Sequence, residues 1–138
     1  MEINCVNIGL CEMSARLFEL SVDKGYDSKD FIEKLLRSDL AKHLYRKNTT
    51  DMWLSEAYIM ESLEAEVSIT KGKAYNKEFM SWVGYLYRVW CTDYENDTPL
   101  DILEQSPFEV LVSSYTGFHV MSCEDAILNL KEIYQERH

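Results

Sequence analysis

The chain has 138 residues, 46% of them apolar and 12% aromatic, enough for one helical domain that buries a real core without cross-links. Its 24 acidic and 14 basic residues give a formal charge of −10, which disfavours nucleic acid as a direct ligand, because that affinity rests on neutralising phosphates with a basic patch. No run of about 18 apolar residues exists to span a membrane, and Met1-Glu2-Ile3-Asn4-Cys5 lacks the basic start and apolar block of a secretory signal.

The first predicted element is a helix from about Leu10 to Asp23, with Leu10, Met13, Leu17 and Leu20 on one face and Glu12, Arg16 and Glu19 off it. Gly25 is placed to terminate it in a left-handed conformation. Asp27 or Ser28 caps a second helix carrying Phe31-Ile32 and Leu35-Leu36, and Ser38 restarts the chain into a third through Leu40, Ala41 and Leu44-Tyr45. Asn48-Thr49-Thr50 reads as a polar turn, after which Thr50 or Asp51 opens a helix through Met52, Ile59, Met60, Leu63 and Val67. Thr70-Lys71-Gly72-Lys73 is too short to separate independent domains and is read as an internal joint.

The helix predicted over Tyr75 to Thr92 is apolar around so much of its circumference that a central, buried position is expected. Phe79, Trp82, Val83, Leu86, Val89 and Trp90 form one stripe; Met80, Gly84, Tyr87 and Cys91 form a second. Gly84 costs about 1 kcal/mol against alanine in a helix, so a close crossing is expected there. Thr98-Pro99-Leu100-Asp101 and Ser106-Pro107-Phe108-Glu109 each offer a hydroxyl cap, a proline and an acid, and so predict two short helices. Gly117 is expected to end the second, and Ser122-Cys123-Glu124-Asp125 to start a last helix with Ala126, Ile127 and Leu130 facing inward.

Several blocks recur at a spacing of about 70 residues. Leu17-Phe18-Glu19-Leu20 is echoed by Leu86-Tyr87-Arg88-Val89, Leu35-Leu36-Arg37-Ser38 by Leu103-Glu104-Gln105-Ser106, and Ser55-Glu56-Ala57 by Glu124-Asp125-Ala126. Residues 1–69 carry 8 Lys/Arg against 13 Asp/Glu, and residues 70–138 carry 6 against 11, so each half is −5. The expected fold is all-α: about eight helices in a single domain over 1–138, built from two similar four-helix halves, about 1–69 and 74–138.

Chemistry is harder to find. Cys5, Cys11, Cys91 and Cys123 follow no disulfide or zinc spacing and read as free thiols in a reducing cytoplasm. His43, His119 and His138 form no ligand pair, so neither a metal nor another cofactor is expected. Cys91 with His119 is the one conceivable nucleophile–base pair, but Cys91 falls on a buried stripe and reads as structural. Lys71-Gly72-Lys73 is too short for a phosphate loop, and Ser113-Ser114 has no nucleophile-elbow context. The aromatic residues remain. Most fill the core, but Tyr85 and Arg88 fall outside both stripes of the central helix and are expected as an exposed pair three residues apart. Glu56, Glu61 and Glu64 read as a solvated acidic face.

Phe79-x-x-Trp82-x-x-Tyr85-x-Tyr87-Arg88, followed by Pro99-x-x-Ile102-Leu103, Tyr115-x-x-x-His119 and Asp125-Ala126-Ile127, resembles small helical bacterial proteins encoded beside ADP-ribosyltransferase-like toxins and proposed as their antitoxins. The likeness is clearest over Tyr75–Tyr134, and the chain departs from the simplest version by being doubled. It implies no catalytic residue. The resulting expectation is a non-enzymatic, acidic, cytoplasmic interaction module that neutralises a basic, toxin-like partner. Its partner surface is expected to hold Tyr85, Arg88, Glu56, Glu61 and Glu64. The alternative is a structural or adaptor domain that self-associates as a homodimer, and a small hydrolase or transferase is the third reading.

Overall fold

The computed structural model describes residues 4–46 and 55–137, with side chains from residue 8 onward. The readings placed on the Cys5 thiol, Asn48-Thr49-Thr50, Asp51, Met52 and His138 lie outside the described residues. Among the described residues, the chain is all-α and a single domain, with eight helices: α1 (Asn4–Asp23), α2 (Ser28–Leu36), α3 (Asp39–Leu44), α4 (Glu56–Glu66), α5 (Lys77–Asp93), α6 (Pro99–Gln105), α7 (Phe108–Phe118) and α8 (Cys123–Arg137). None of the described helices is long and apolar enough to cross a membrane.

Helix ends follow local chemistry. Asp27, Ser38, Ser55 and Asn76 each accept a backbone N–H three residues on and start α2, α3, α4 and α5. Thr98 and Asp101 complete a reciprocal capping box at α6, behind Pro99. Gly25 adopts φ +75° and ends α1 as expected.

Three boundaries differ from expectation. α1 begins at Asn4, a turn and a half before Leu10. Ser106 caps nothing: its hydroxyl is buried and donates to the Ile102 carbonyl at 2.6 Å, and α7 starts behind Pro107 with no side-chain cap. That carbonyl sits four residues back, within easy reach of a helix-terminal serine, so the back-bond wins over the cap. α7 also runs through Gly117 to Phe118, where a β-carbon at Gly117 would meet nothing within 4 Å. No positive φ is needed there, so glycine alone does not stop the helix.

α1 and α5 form the central pair, with α4 packed on α1, α8 on α5, and α2 against α6. The central crossing is tight at Ser14 and Gly84. A β-carbon on Gly84 would stand 2.6 Å from the Ser14 carbonyl oxygen and 2.9 Å from the Phe18 ring, so only glycine fits. Ser14 Oγ donates to the Gly84 carbonyl at 2.7 Å and lies 2.6 Å from the Tyr45 hydroxyl. Because the serine has one proton to give, Tyr45 must be the donor to Ser14. Phe18 stacks edge-to-face on Phe31 at 5.1 Å and on Tyr87 at 5.8 Å, which ties α2 into the same core.

The joint at 70–73 is pinned to the α1–α2 turn. Asp27 N–H donates to the Thr70 carbonyl at 2.8 Å, Ser28 N–H to the Lys73 carbonyl at 3.0 Å, and Tyr75 N–H to Ser28 Oγ at 2.9 Å. Tyr26 donates a short hydrogen bond to Glu64, which also holds Lys24 at 2.6 Å. That carboxylate pushes the Tyr26 phenol up to about 12, while Lys24 first and Tyr26 second hold Glu64 below its usual range.

Candidate functional site

Residues 78, 81, 82 and 85 share one flank of α5 by helical spacing, and residue 115 of α7 lies one turn before His119, which caps that helix. Where α5 and α7 meet, an open groove of about 460 Å³ is lined by Trp82, Tyr85, Tyr115 and His119, with Glu19, Lys77, Glu78, Ser81 and Cys123 around it. Tyr115 organises the aromatic wall. It packs edge-on with Phe79 and with Trp82, each at 5.4 Å between centroids, and His119 stacks on it at 4.3 Å and 16°. His119 Nδ1 lies 2.6 Å from the Tyr115 carbonyl. An Nδ1–H donating there leaves Nε2 as the acceptor nitrogen. Trp82, Tyr85 and Tyr115 are each partly exposed, whereas Phe79 beneath them is buried.

The surroundings are acidic. Burial raises the Tyr85 phenol, and Cys11, Cys123, Glu12 and Glu124 push in the same direction. Among the described residues Glu12, Glu19, Glu78 and Glu124 hold no ion pair. The one lysine on the groove's edge, Lys77, is committed to Asp23 at 2.6 Å. A second groove, about 370 Å³ beside Tyr75 and Phe108, contrasts with this: Lys29 pairs with Glu109 at 2.6 Å and Lys73 lies 4.9 Å over Tyr75.

The predicted partner residues scatter. Tyr85 lies in the groove, half-buried. The expected exposed pairing with Arg88 is corrected: Arg88 is buried, and its Nη1 donates to the carbonyls of Leu44 at 2.9 Å and Arg46 at 2.8 Å. Position 88 lies within about 20° of Ser81 around α5, so helical spacing alone does not take it out of the groove; it lies two turns further along the helix, where the carbonyls at and just beyond the end of α3 engage its guanidinium. Glu56 faces Arg16 at 3.6 Å, Glu64 is held by Lys24 and Tyr26, and Glu61 is exposed on α4; none of the three lines the groove. The acids that do are Glu19 and Glu78. Their signal was present in the 78–82–85 spacing and in the Tyr115-x-x-x-His119 turn, but Glu19 joins them only through the α1–α5 packing.

Cys91 and His119 are not brought together. The Cys91 thiol is buried and donates to the Arg88 carbonyl at 3.3 Å, while His119 is exposed at the end of α7. Burial pushes Cys91 and Cys123 up to about 11 and Cys11 up to about 12, so these thiols stay protonated at neutral pH. Among the described residues no three His, Cys, Asp or Glu side chains are placed to hold a metal ion.

No family model matches the chain, and no curated protein or solved structure matches it either. Function must be read from the groove.

Proposed function

We propose that this protein is a non-enzymatic acidic interaction module that captures a basic protein partner through the α5–α7 groove. The antitoxin-like role implied by the sequence resemblance is the form of that reading we favour. The observation that carries it is an open aromatic groove whose neighbouring carboxylates hold no ion pair among the described residues, its one lysine, Lys77, being paired with Asp23. Aromatic rings supply buried contact area, and the surplus negative charge supplies long-range attraction to a positive surface. Free thiols at Cys11, Cys91 and Cys123 support a cytoplasmic setting.

The duplicated-half reading belongs here too. Among the described residues four helices precede and four follow the joint, with α1 and α5 as central partners, and Phe18 and Tyr87, the matched residues of the two blocks, touch across the crossing. Against it, α3 has 6 residues and α7 has 11.

The test is affinity capture in the native host with wild-type and groove variants side by side, followed by kinetics on the partner at varied salt. A basic partner lost with Tyr85→Ala and Tyr115→Leu is the expected result. Glutamine at Glu12, Glu19, Glu78 and Glu124 should slow association and flatten its salt dependence, whereas Tyr85→Ala should mainly speed dissociation. A partner that binds all these variants as wild type would remove the groove from the reading.

A further inference from the structure

α5 carries two aromatic–carboxylate sites eight residues apart, and among the described residues a lysine fills only one of them. At the filled site Lys131 of α8 places its ammonium 5.3 Å over Trp90 and 4.3 Å over Tyr94. The same nitrogen donates to Asp97 Oδ2 at 2.7 Å and to Gln105 Oε1 at 2.8 Å. The Trp90 indole N–H donates to that Asp97 oxygen at 2.8 Å. Ring faces and one carboxylate thus hold a lysine side chain with its charge matched and its protons bonded.

The groove repeats the rings and carboxylates, but its one lysine, Lys77, is paired with Asp23, and the Trp82 indole N–H, unlike that of Trp90, is buried without a partner. Trp82 and Tyr115 stand for Trp90 and Tyr94, Glu19 and Glu78 provide carboxylates, and no lysine or arginine of the described residues lies over these rings. Its volume of about 460 Å³ exceeds what one ammonium needs and leaves room for the aliphatic stem and adjoining backbone. We infer that the groove is a receptor for a single lysine side chain presented by a basic polypeptide. The ammonium lies over the Trp82 ring beside Tyr115, one face of which His119 already covers, and is neutralised by Glu19 and Glu78. Electrostatic attraction of a cation to the ring face supplies the affinity, and it strengthens as water is displaced. This inference rests on the interaction reading above and names the group that reading leaves open.

The experiment titrates Nα-acetyl-lysine N-methylamide into the whole protein and follows the ligand's own NMR signals. Saturable binding with a dissociation constant on the order of 1 mM is expected for one side chain. The Nε-acetylated analogue, which has the same stem and no charge, should bind about 10-fold more weakly, since the cation supplies the attraction. Glu19→Gln with Glu78→Gln, both at solvent-accessible positions, should weaken the lysine analogue about 5-fold with the fold unchanged. Tyr115→Leu should abolish it, and its circular dichroism and melting curve separate loss of the site from loss of fold. Equal binding of the charged and neutral analogues, or binding untouched by both groove variants, would overturn the inference. A captured basic partner that needs the groove, with no binding of the lysine analogue, refutes this inference and leaves the interaction reading standing. Lysine binding with no partner recovered has the opposite meaning.

Discussion

Trp90 and Trp82 stand on the same helix, yet their surroundings are put to opposite uses. Around Trp90 the chain supplies everything: ring, carboxylate, amide and the Lys131 ammonium, with the Lys131 and Asp97 side chains only 20% exposed. Around Trp82 the described residues supply rings and acids, and the one lysine there, Lys77, is paired with Asp23 and not placed over the rings. A self-satisfied cation site holds α8 and the α5–α6 connection together, so it adds to stability. A site left open adds nothing to stability in the free protein and can act only on something from outside. Arg88 belongs with the first kind, a positive charge spent inside the fold on the end of α3.

The comparison breaks if the internal cations prove dispensable. Arg88→Ala should have the largest effect, about 3 to 5 kcal/mol in chemical denaturation, because it removes charge-assisted bonds to two carbonyls at the end of α3 and leaves a void. Lys131→Met should cost less, about 2 kcal/mol, since its site is only partly buried, and a cycle with Asp97→Asn should recover some of the loss.

Acid should sharpen the contrast. Burial works to raise the Asp97 carboxyl, but Lys131, the Trp90 indole and Gln105 outweigh it and hold the group below its ordinary range. Its folded-state pKa is depressed, so its contribution is present above the unfolded value of about 4 and is lost as pH falls through the lower folded value. Melting temperatures of wild type should therefore fall below about pH 4 more steeply than those of a Lys131→Met/Asp97→Asn double variant. Asp30, Glu64 and Glu109 are depressed as well and leave a residual slope in both proteins. The smallest effect belongs to the open site: Glu19→Gln and Glu78→Gln should change stability by no more than about 0.5 kcal/mol. A larger loss would mean that these acids serve the fold.

Much of the fold was legible in the residues. The apolar circumference of α5, the cap at Thr98-Pro99, the turn at Gly25 and the close crossing at Gly84 all have local signatures, because each is dictated within a few residues or by one missing side chain. Ser106 and Gly117 misled because their local chemistry allows two outcomes, and packing selects between them. The site was half legible. Tyr85 carried a signal through its place outside the apolar stripes, but Arg88 carried the same signal and is buried. Charge on a helix says what a residue is, not where α3 will end against it. Glu19 enters the groove from another helix, across a distance in sequence that no spacing reports.

The central claim is that Trp82 lines a cation site open to an outside ligand, while Trp90 lines one the chain already fills. The indole N–H signals of Trp82 and Trp90 in a single nitrogen–proton correlation spectrum report on both at once, assigned with Trp82→Phe and Trp90→Phe. During titration with oligolysine, the Trp82 signal should move saturably while the Trp90 signal stays in place. A Trp82 signal that never moves, or Trp90 moving as far as Trp82, would contradict the account.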